Sequence, residues 1–156
     1  MPATPTPQDM HSALLHTHNL LRWVVLVLGV LAILKAAQGL KGDRPYDATR
    51  RMTAFFMASL HLQVLLGLLL FMLSPLIRAS MRDMEAVMAD ASMRFFVAEH
   101  PMIMIIAVVV MTVGAIVSKN AKDDAARHRK ALVFSAVTMA LVLWGIPWQR
   151  ALFPGM

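Results

Sequence analysis

Histidines are the residues of this sequence whose type and position point most clearly to chemistry. His11 and His128 are expected nearer to water, and the other four lie in or at the mouth of apolar segments: His16, His18, His61 and His100. An ionisable side chain inside a membrane span indicates a functional site by default, because lipid offers it no partner. Every long apolar segment carries at least one histidine, and imidazoles from facing helices of a bundle are suited to holding haem iron.

The depths of the histidines along their helices indicate which of them form a pair. His18 lies nine residues after Asp9 and His100 nine residues after Ala91, so each is roughly 13 Å along its helix at about 1.5 Å per residue. Because both helices are expected to enter from the same side, we predict that His18 and His100 are the axial ligands of a haem b.

A second haem would use the remaining pair, His61 and His128, although their levels differ by roughly 9 Å. A third arrangement pairs His61 with His100 across a single central haem. The sequence therefore predicts one or two haems and leaves these pairings open.

Residues next to these histidines suggest further roles. Arg22 follows His18 by four residues, shares its helix face, and is predicted either to bind a haem propionate or to extend towards lipid head groups. Pro101 predicts that the helix either kinks or begins at His100. In that second case Glu99, His16 and His100 would form a metal or proton site instead.

The composition identifies the environment in which this chemistry would take place. Of 156 residues, 58% are hydrophobic and only 15% are charged, and the mean hydropathy is +0.63, whereas a soluble domain carries roughly 25% charged residues. The sequence has no cysteine, which excludes disulfides, thiolate metal sites and haem attached through CxxCH. We expect no nucleic-acid partner, because the basic residues behind the net charge of +6 fall in loops.

The elements predicted from this pattern are all helical. We predict a single transmembrane domain over residues 1–156, an integral membrane four-helix bundle with spans at about 10–38, 48–74, 92–118 and 121–146. A short amphipathic interfacial helix is expected between spans two and three, with apolar positions at Ile77, Met81, Met84 and Met88. The predicted helix caps are Asp9, Asp47, Asp90 and Asn120.

Lysine and arginine predict the orientation of this bundle. The first and third connections together hold nine of them, against five on the opposite side, a set that includes Arg22 and Arg150. By the positive-inside rule, both termini and the amphipathic segment face outward.

Several short strings resemble a group of small bacterial four-helix membrane proteins catalogued as cytochrome B. They are LHTH at 15–18, LRW at 21–23, HLQ at 61–63, RFF at 94–96, EHP at 99–101, and His128 before the last span. The resemblance runs from about His11 to Trp148 and implies a b-type cytochrome of the bacterial cytoplasmic (inner) membrane. It departs from the large respiratory cytochromes b, in which one helix supplies a ligand to each of two haems, because no helix here has two histidines about a dozen residues apart.

The leading prediction is therefore a membrane electron-transfer protein or subunit, rather than a stand-alone enzyme, that holds haem b between two histidines and has quinone as a candidate redox partner. An alternative is a non-redox protein that binds copper or zinc through His16, His18, Glu99 and His100 on the outer side, since imidazole and carboxylate suit such ions. A further alternative is a structural or assembly subunit of a larger membrane complex. Besides the lipid bilayer, the partners considered are respiratory-complex subunits and a second copy of the chain.

Overall fold

The computed structural model describes residues 6–42 and 44–148, and every regular element in this part of the chain is helical. Arg150, one of the residues in the predicted charge difference, lies outside it. The helices are α1 (Pro7–Gly39), α2 (Asp47–Leu73), α3 (Pro75–Ser80), α4 (Met84–Ala89), α5 (Ala91–Arg94), a π-helical segment (Phe95–Glu99), α6 (His100–Lys119) and α7 (Asp124–Gly145).

Three helical stretches of the described chain are long and apolar enough to cross a membrane, as expected of a small multi-pass membrane protein. They are Gln8–Gly39, Asp47–Leu73 and Ala91–Lys119, the last of which joins α5, the π segment and α6. The predicted count of four spans differs from this result. α7 falls short because its apolar part begins only at Ala131, after a turn that contains His128, Arg129 and Lys130.

Side-chain caps determine where several of these helices start. Asp90 caps α5 by accepting a hydrogen bond from the amide of Met93, as predicted. Three predicted caps are wrong. α2 begins at Asp47 itself, and its N-cap residue, Tyr46, makes no side-chain cap hydrogen bond. Thr6 caps α1 and forms a reciprocal capping box with Asp9, and α7 is capped by Asp123 rather than Asn120, because an aspartate that accepts from the third amide after it is a better cap than a residue farther upstream.

The predicted amphipathic helix is divided into short pieces. The side-chain oxygens of Ser74, Asp83 and Asp90 each accept a hydrogen bond from the backbone amide three residues later. A new helix therefore starts after each of them. Ile77 and Val87 bury against Val97. The predicted methionine face is exposed instead: Met81, Met84 and Met88.

The long helices form a closed ring in which α1 packs on α2 and α7, and α6 packs on the same two helices. α1 and α6 therefore stand at opposite corners. The core between them is built around Phe56, Leu60 and Met111. Glycine allows the helices to approach one another closely, because a side chain at Gly29 would meet Met139 and one at Gly114 would meet Phe134. Many large apolar side chains point outward, as lipid contact requires, among them Val27, Leu65, Met102 and Ile105.

Candidate functional site

His18 and His100 meet across the centre of the helix ring. Their ring centroids are 6.5 Å apart and the ring planes are inclined by 73°. His18 comes from α1 and His100 from the start of α6, and these two helices stand at opposite corners of the ring. The structure thus brings together the two residues that the depth calculation paired, and we refer to them as the histidine pair.

A backbone carbonyl determines which ring nitrogen of His100 carries the proton. Its Nδ1 lies 2.7 Å from the carbonyl oxygen of Gly145, near the end of α7. A carbonyl oxygen can only accept, so Nδ1 carries the proton and the Nε2 lone pair is available for a ligand. This is the second interaction that a metal-ligating histidine normally makes.

The π-helical segment places His100 at this point. The amide of His100 donates to the carbonyl of Phe95, five residues earlier, and the next residue is Pro101. A proline lacks an amide and its ring clashes with the carbonyl four residues before it, and the wider π turn relieves that clash. The α-helix α6 therefore begins at His100, as one of the two sequence alternatives states, but it continues the π turn without a break. Such π turns are frequent at functional sites.

α2 provides the surface against which His18 lies. Gln63 donates from Nε2 to the backbone oxygen of His18 at 3.0 Å, which fixes α1 against α2 at this level. A Cβ atom at position 67 would come within 3.1 Å of Cε1 of His18, so Gly67 is what allows the ring to lie close to α2. Nδ1 of His18 is buried and has no hydrogen-bond partner among the described residues, so a ligand there would relieve an unsatisfied polar atom.

Arg22 lies one helical turn after His18 and is directed into the protein. Only 8% of it is exposed, and its guanidinium carbon is 5.8 Å from the ring centroid of Trp23. Arg22 therefore does not extend towards lipid head groups, contrary to one of the two predictions for this residue.

The other two histidines proposed as ligands are held elsewhere. Nδ1 of His61 lies 2.8 Å from the carbonyl oxygen of Met57 in its own helix, and Nε2 lies 3.4 Å from the hydroxyl of Thr112 on α6. His128 is 2% exposed, and its Nε2 lies 3.0 Å from the carbonyl oxygen of Arg44. His128 is therefore buried in the protein rather than near water, and the structure does not bring it together with His61.

The other two residues considered for a copper or zinc site, His16 and Glu99, are not held at the histidine pair. His16 is exposed, and Glu99 forms an ion pair with Arg94 at 2.8 Å. Within residues 6–42 and 44–148, no group of three or more histidine or acidic side chains is arranged to hold a metal ion.

Sequence reasoning missed three residues that shape the site: Gly67, Gly145 and Gln63. Their roles depend on contacts between helices that are far apart in sequence, 45 residues in the case of His18 and Gln63. Gly67 and Gly145 carried a weak signal, because small residues in apolar helices mark close packing.

Comparison with known proteins does not assign the chain to a family. No protein-family model, no curated protein and no solved structure gives a significant match. The resemblance to small bacterial cytochromes B therefore stays a prediction, and the functional argument rests on the geometry of the histidine pair.

Proposed function

We propose that this protein is a b-type cytochrome of a membrane, in which His18 and His100 hold one haem b between α1 and α6. The observation that carries the proposal is the separation of the two imidazole rings, 6.5 Å between centroids. Electron transfer, with quinone as a candidate partner, is the activity that follows from such a site.

The separation would leave an imidazole nitrogen of each ring within reach of one shared metal ion, because metal–nitrogen bonds to histidine are about 2.0–2.1 Å long. The positions of α1 and α6 at opposite corners add support, because side chains from these helices meet near the axis of the bundle.

Haem supplies one-electron redox chemistry, and the protein positions it and adjusts its potential. The carbonyl of Gly145 fixes the tautomer of His100 and makes its Nε2 a better donor. Arg22 is the residue suited to a propionate, since its guanidinium is buried one turn from His18. Neither role requires His61 or His128, so the proposal is for a single haem.

We further infer that α7 is a fourth span and that both termini lie on the outer side of a bacterial cytoplasmic membrane. α7 packs on α6 and α1 and carries apolar side chains that are exposed in the structure: Val133, Val137, Leu143 and Trp144. Lipid contact accounts for these side chains better than water does.

Visible spectroscopy tests the haem assignment. The detergent-purified protein, produced with a haem supply, should show Soret and α bands that sharpen on reduction, with one haem per chain by pyridine haemochrome analysis. His18→Gly and His100→Gly should each lose the α band, and added imidazole should restore part of it because it replaces the missing ligand. A purified, folded protein without these bands would refute the proposal.

Two matched controls separate ligation from general stability. His16→Gly removes an exposed histidine two residues from His18, and His61→Gly removes one from the middle of α2; both should keep the full haem content. Loss of haem in His61→Gly together with its retention in His18→Gly would favour the His61–His100 pairing instead. Bound copper or zinc without haem, measured by elemental analysis, would favour the metal-binding alternative.

A further inference from the structure

His61 is a titratable side chain in the middle of a long apolar helix, and the haem proposal does not use it. It lies at the centre of α2, which has 27 residues and is long and apolar enough to cross a membrane. Its ring meets the hydroxyl of Thr112 on α6, and α6 packs on α2. An ionisable side chain at this depth is costly unless it has a polar partner, so the contacts of its two ring nitrogens indicate what it can bind.

Nε2 of His61 is a hydrogen-bond acceptor to which no group of the described residues donates. Nδ1 lies 2.8 Å from the carbonyl oxygen of Met57, and a carbonyl can only accept, so Nδ1 carries the proton and Nε2 the lone pair. The hydroxyl of Thr112 is 3.4 Å from Nε2, but it gives its single proton to the carbonyl oxygen of Val108 at 2.8 Å. The lone pair of Nε2 is thus left for a donor from outside the chain.

The imidazole can be approached from the lipid side of the helix ring. His61 is partly exposed, and Ala54 and Ala58, seven and three residues before it on the same helix face, are exposed. On α6, Val109 lies one turn before Thr112 and is 54% exposed. The two alanines leave a shallow strip beside the imidazole, because neither side chain extends beyond its Cβ atom. A flat molecule from the bilayer can therefore lie against α2 next to His61.

This position lies near the histidine pair along the same helix. A Cβ atom at Gly67 would come within 3.1 Å of the His18 ring, and Gly67 follows His61 by six residues, which is roughly 9 Å along α2 at about 1.5 Å per residue. A molecule bound at His61 is therefore close to the site proposed for the haem.

We propose that His61 binds the hydroxyl group of a membrane quinol on the lipid-facing surface between α2 and α6. A ligand that arrives from the bilayer must be lipid-soluble, and it must present a hydrogen-bond donor to Nε2. A quinol has a flat ring and a hydroxyl group that donates. The choice of a quinol among lipid-soluble hydroxyl compounds rests on the proposed function, since a quinol can also supply electrons to a haem.

The thermal unfolding of the detergent-purified protein with added ligand tests this assignment. Decylubiquinol should raise the unfolding temperature more than decylubiquinone or the dimethyl ether of the quinol does, because neither of these has a hydroxyl proton to donate. A titration gives the dissociation constant of the quinol. His61→Leu should raise this constant about five- to tenfold, the effect of one hydrogen bond, and should remove the preference for the quinol over its ether. His61→Gln, which offers an amide oxygen as acceptor, should keep most of the affinity.

His16→Leu is the matched control, because it removes an exposed histidine from α1; it should bind the quinol as the unsubstituted protein does. Equal weakening in His16→Leu and His61→Leu would overturn the site. Equal stabilisation by the quinol and its ether would do the same, and that comparison needs no variant, so it holds even where His61→Leu fails to fold. Equal stabilisation by dioctanoylglycerol, a lipid alcohol without a quinol ring, would overturn the quinol assignment.

The haem content of the same samples separates this proposal from the previous one. We expect His61→Leu to keep its haem while it binds the quinol more weakly. A protein without Soret and α bands that still prefers the quinol to its ether would refute the haem and leave the quinol site standing. A protein with haem that shows no such preference would refute the quinol site alone.

Discussion

At the scale of the residue, the hydrogen bond made by one ring nitrogen determines what each histidine can do. Nδ1 of His100 donates a hydrogen bond to a carbonyl on another helix, which leaves Nε2 for a ligand. Both nitrogens of His61 lie near polar atoms of α2 and α6. Nε2 of His128 holds the connection between α1 and α2 in place. The three histidines thus differ in their surroundings: His100 keeps one ring nitrogen open, His61 lies among polar atoms of two helices, and His128 anchors a loop.

The anchoring position of His128 predicts an effect on stability. A Cβ atom at Gly39 would collide with the His128 ring, and this ring is buried and hydrogen-bonded, so it cannot move freely. Gly39→Ala should destabilise the protein by about 1–3 kcal/mol, as overpacking does, and lower its thermal unfolding temperature in detergent.

Gly42→Ala is the control for this prediction, because nothing lies within 4 Å of a Cβ at that position; its effect should stay within about 0.5 kcal/mol. A double-mutant cycle with His128→Ala locates the cause, since the cost of Gly39→Ala should fall sharply once the ring is removed. An unchanged cost in the His128→Ala background would show that the collision with this ring is not the reason.

At the scale of the element, apolar runs and helix breakers predict most of the long helices but not their local irregularities. Ser74 and Pro75 end α2 as the sequence indicates, and the equal depths of His18 and His100 follow from a constant rise per residue. The π turn before Pro101 and the contact of Gln63 with α1 could not be predicted, because both depend on how neighbouring helices pack. The division of the amphipathic segment could be predicted, because aspartate is a preferred helix N-cap and Asp83 accepts a hydrogen bond from the amide three residues later.

The π turn predicts a result for Pro101→Ala. Alanine restores an amide and removes the ring clash, so the segment Phe95–Glu99 should relax towards an α-helix and rotate the residues before His100 relative to α6. We expect the protein to remain folded, with helical circular dichroism unchanged, while its haem content falls and its reduced spectrum shifts.

Pro75→Ala serves as the control, because Pro75 also occupies a first helical turn but lies in α3 and not in the turn that carries His100; its spectrum should not change. Backbone exchange measured for residues 95–101 gives a readout that does not depend on haem. If Pro101→Ala altered neither the exchange pattern nor the spectrum, the π turn would not depend on the proline.

At the scale of the whole molecule, the histidine pair and the buried His128 lie at opposite ends of one ring of helices. His18 lies within the first half of α1, whereas Lys35 and Gly39 lie at its last turns, a separation of about 25 Å from position 18 to position 35 at 1.5 Å per residue. In the proposed four-span arrangement, α7 joins these two ends of the ring, because it contributes Gly145 at one end and His128 at the other.

Single-cysteine labelling decides whether α7 crosses. The sequence has no cysteine, so each introduced thiol is the only target of a membrane-impermeant maleimide. In intact spheroplasts, Gln8→Cys and a cysteine appended after Met156 should both be labelled, because four spans place the two termini on the outer side. Asn120→Cys, in the connection between α6 and α7, should react only after permeabilisation. If α7 instead lay along the inner surface, the appended cysteine would be protected together with Asn120→Cys, and Gly145 could no longer reach His100 from the outer end of the bundle.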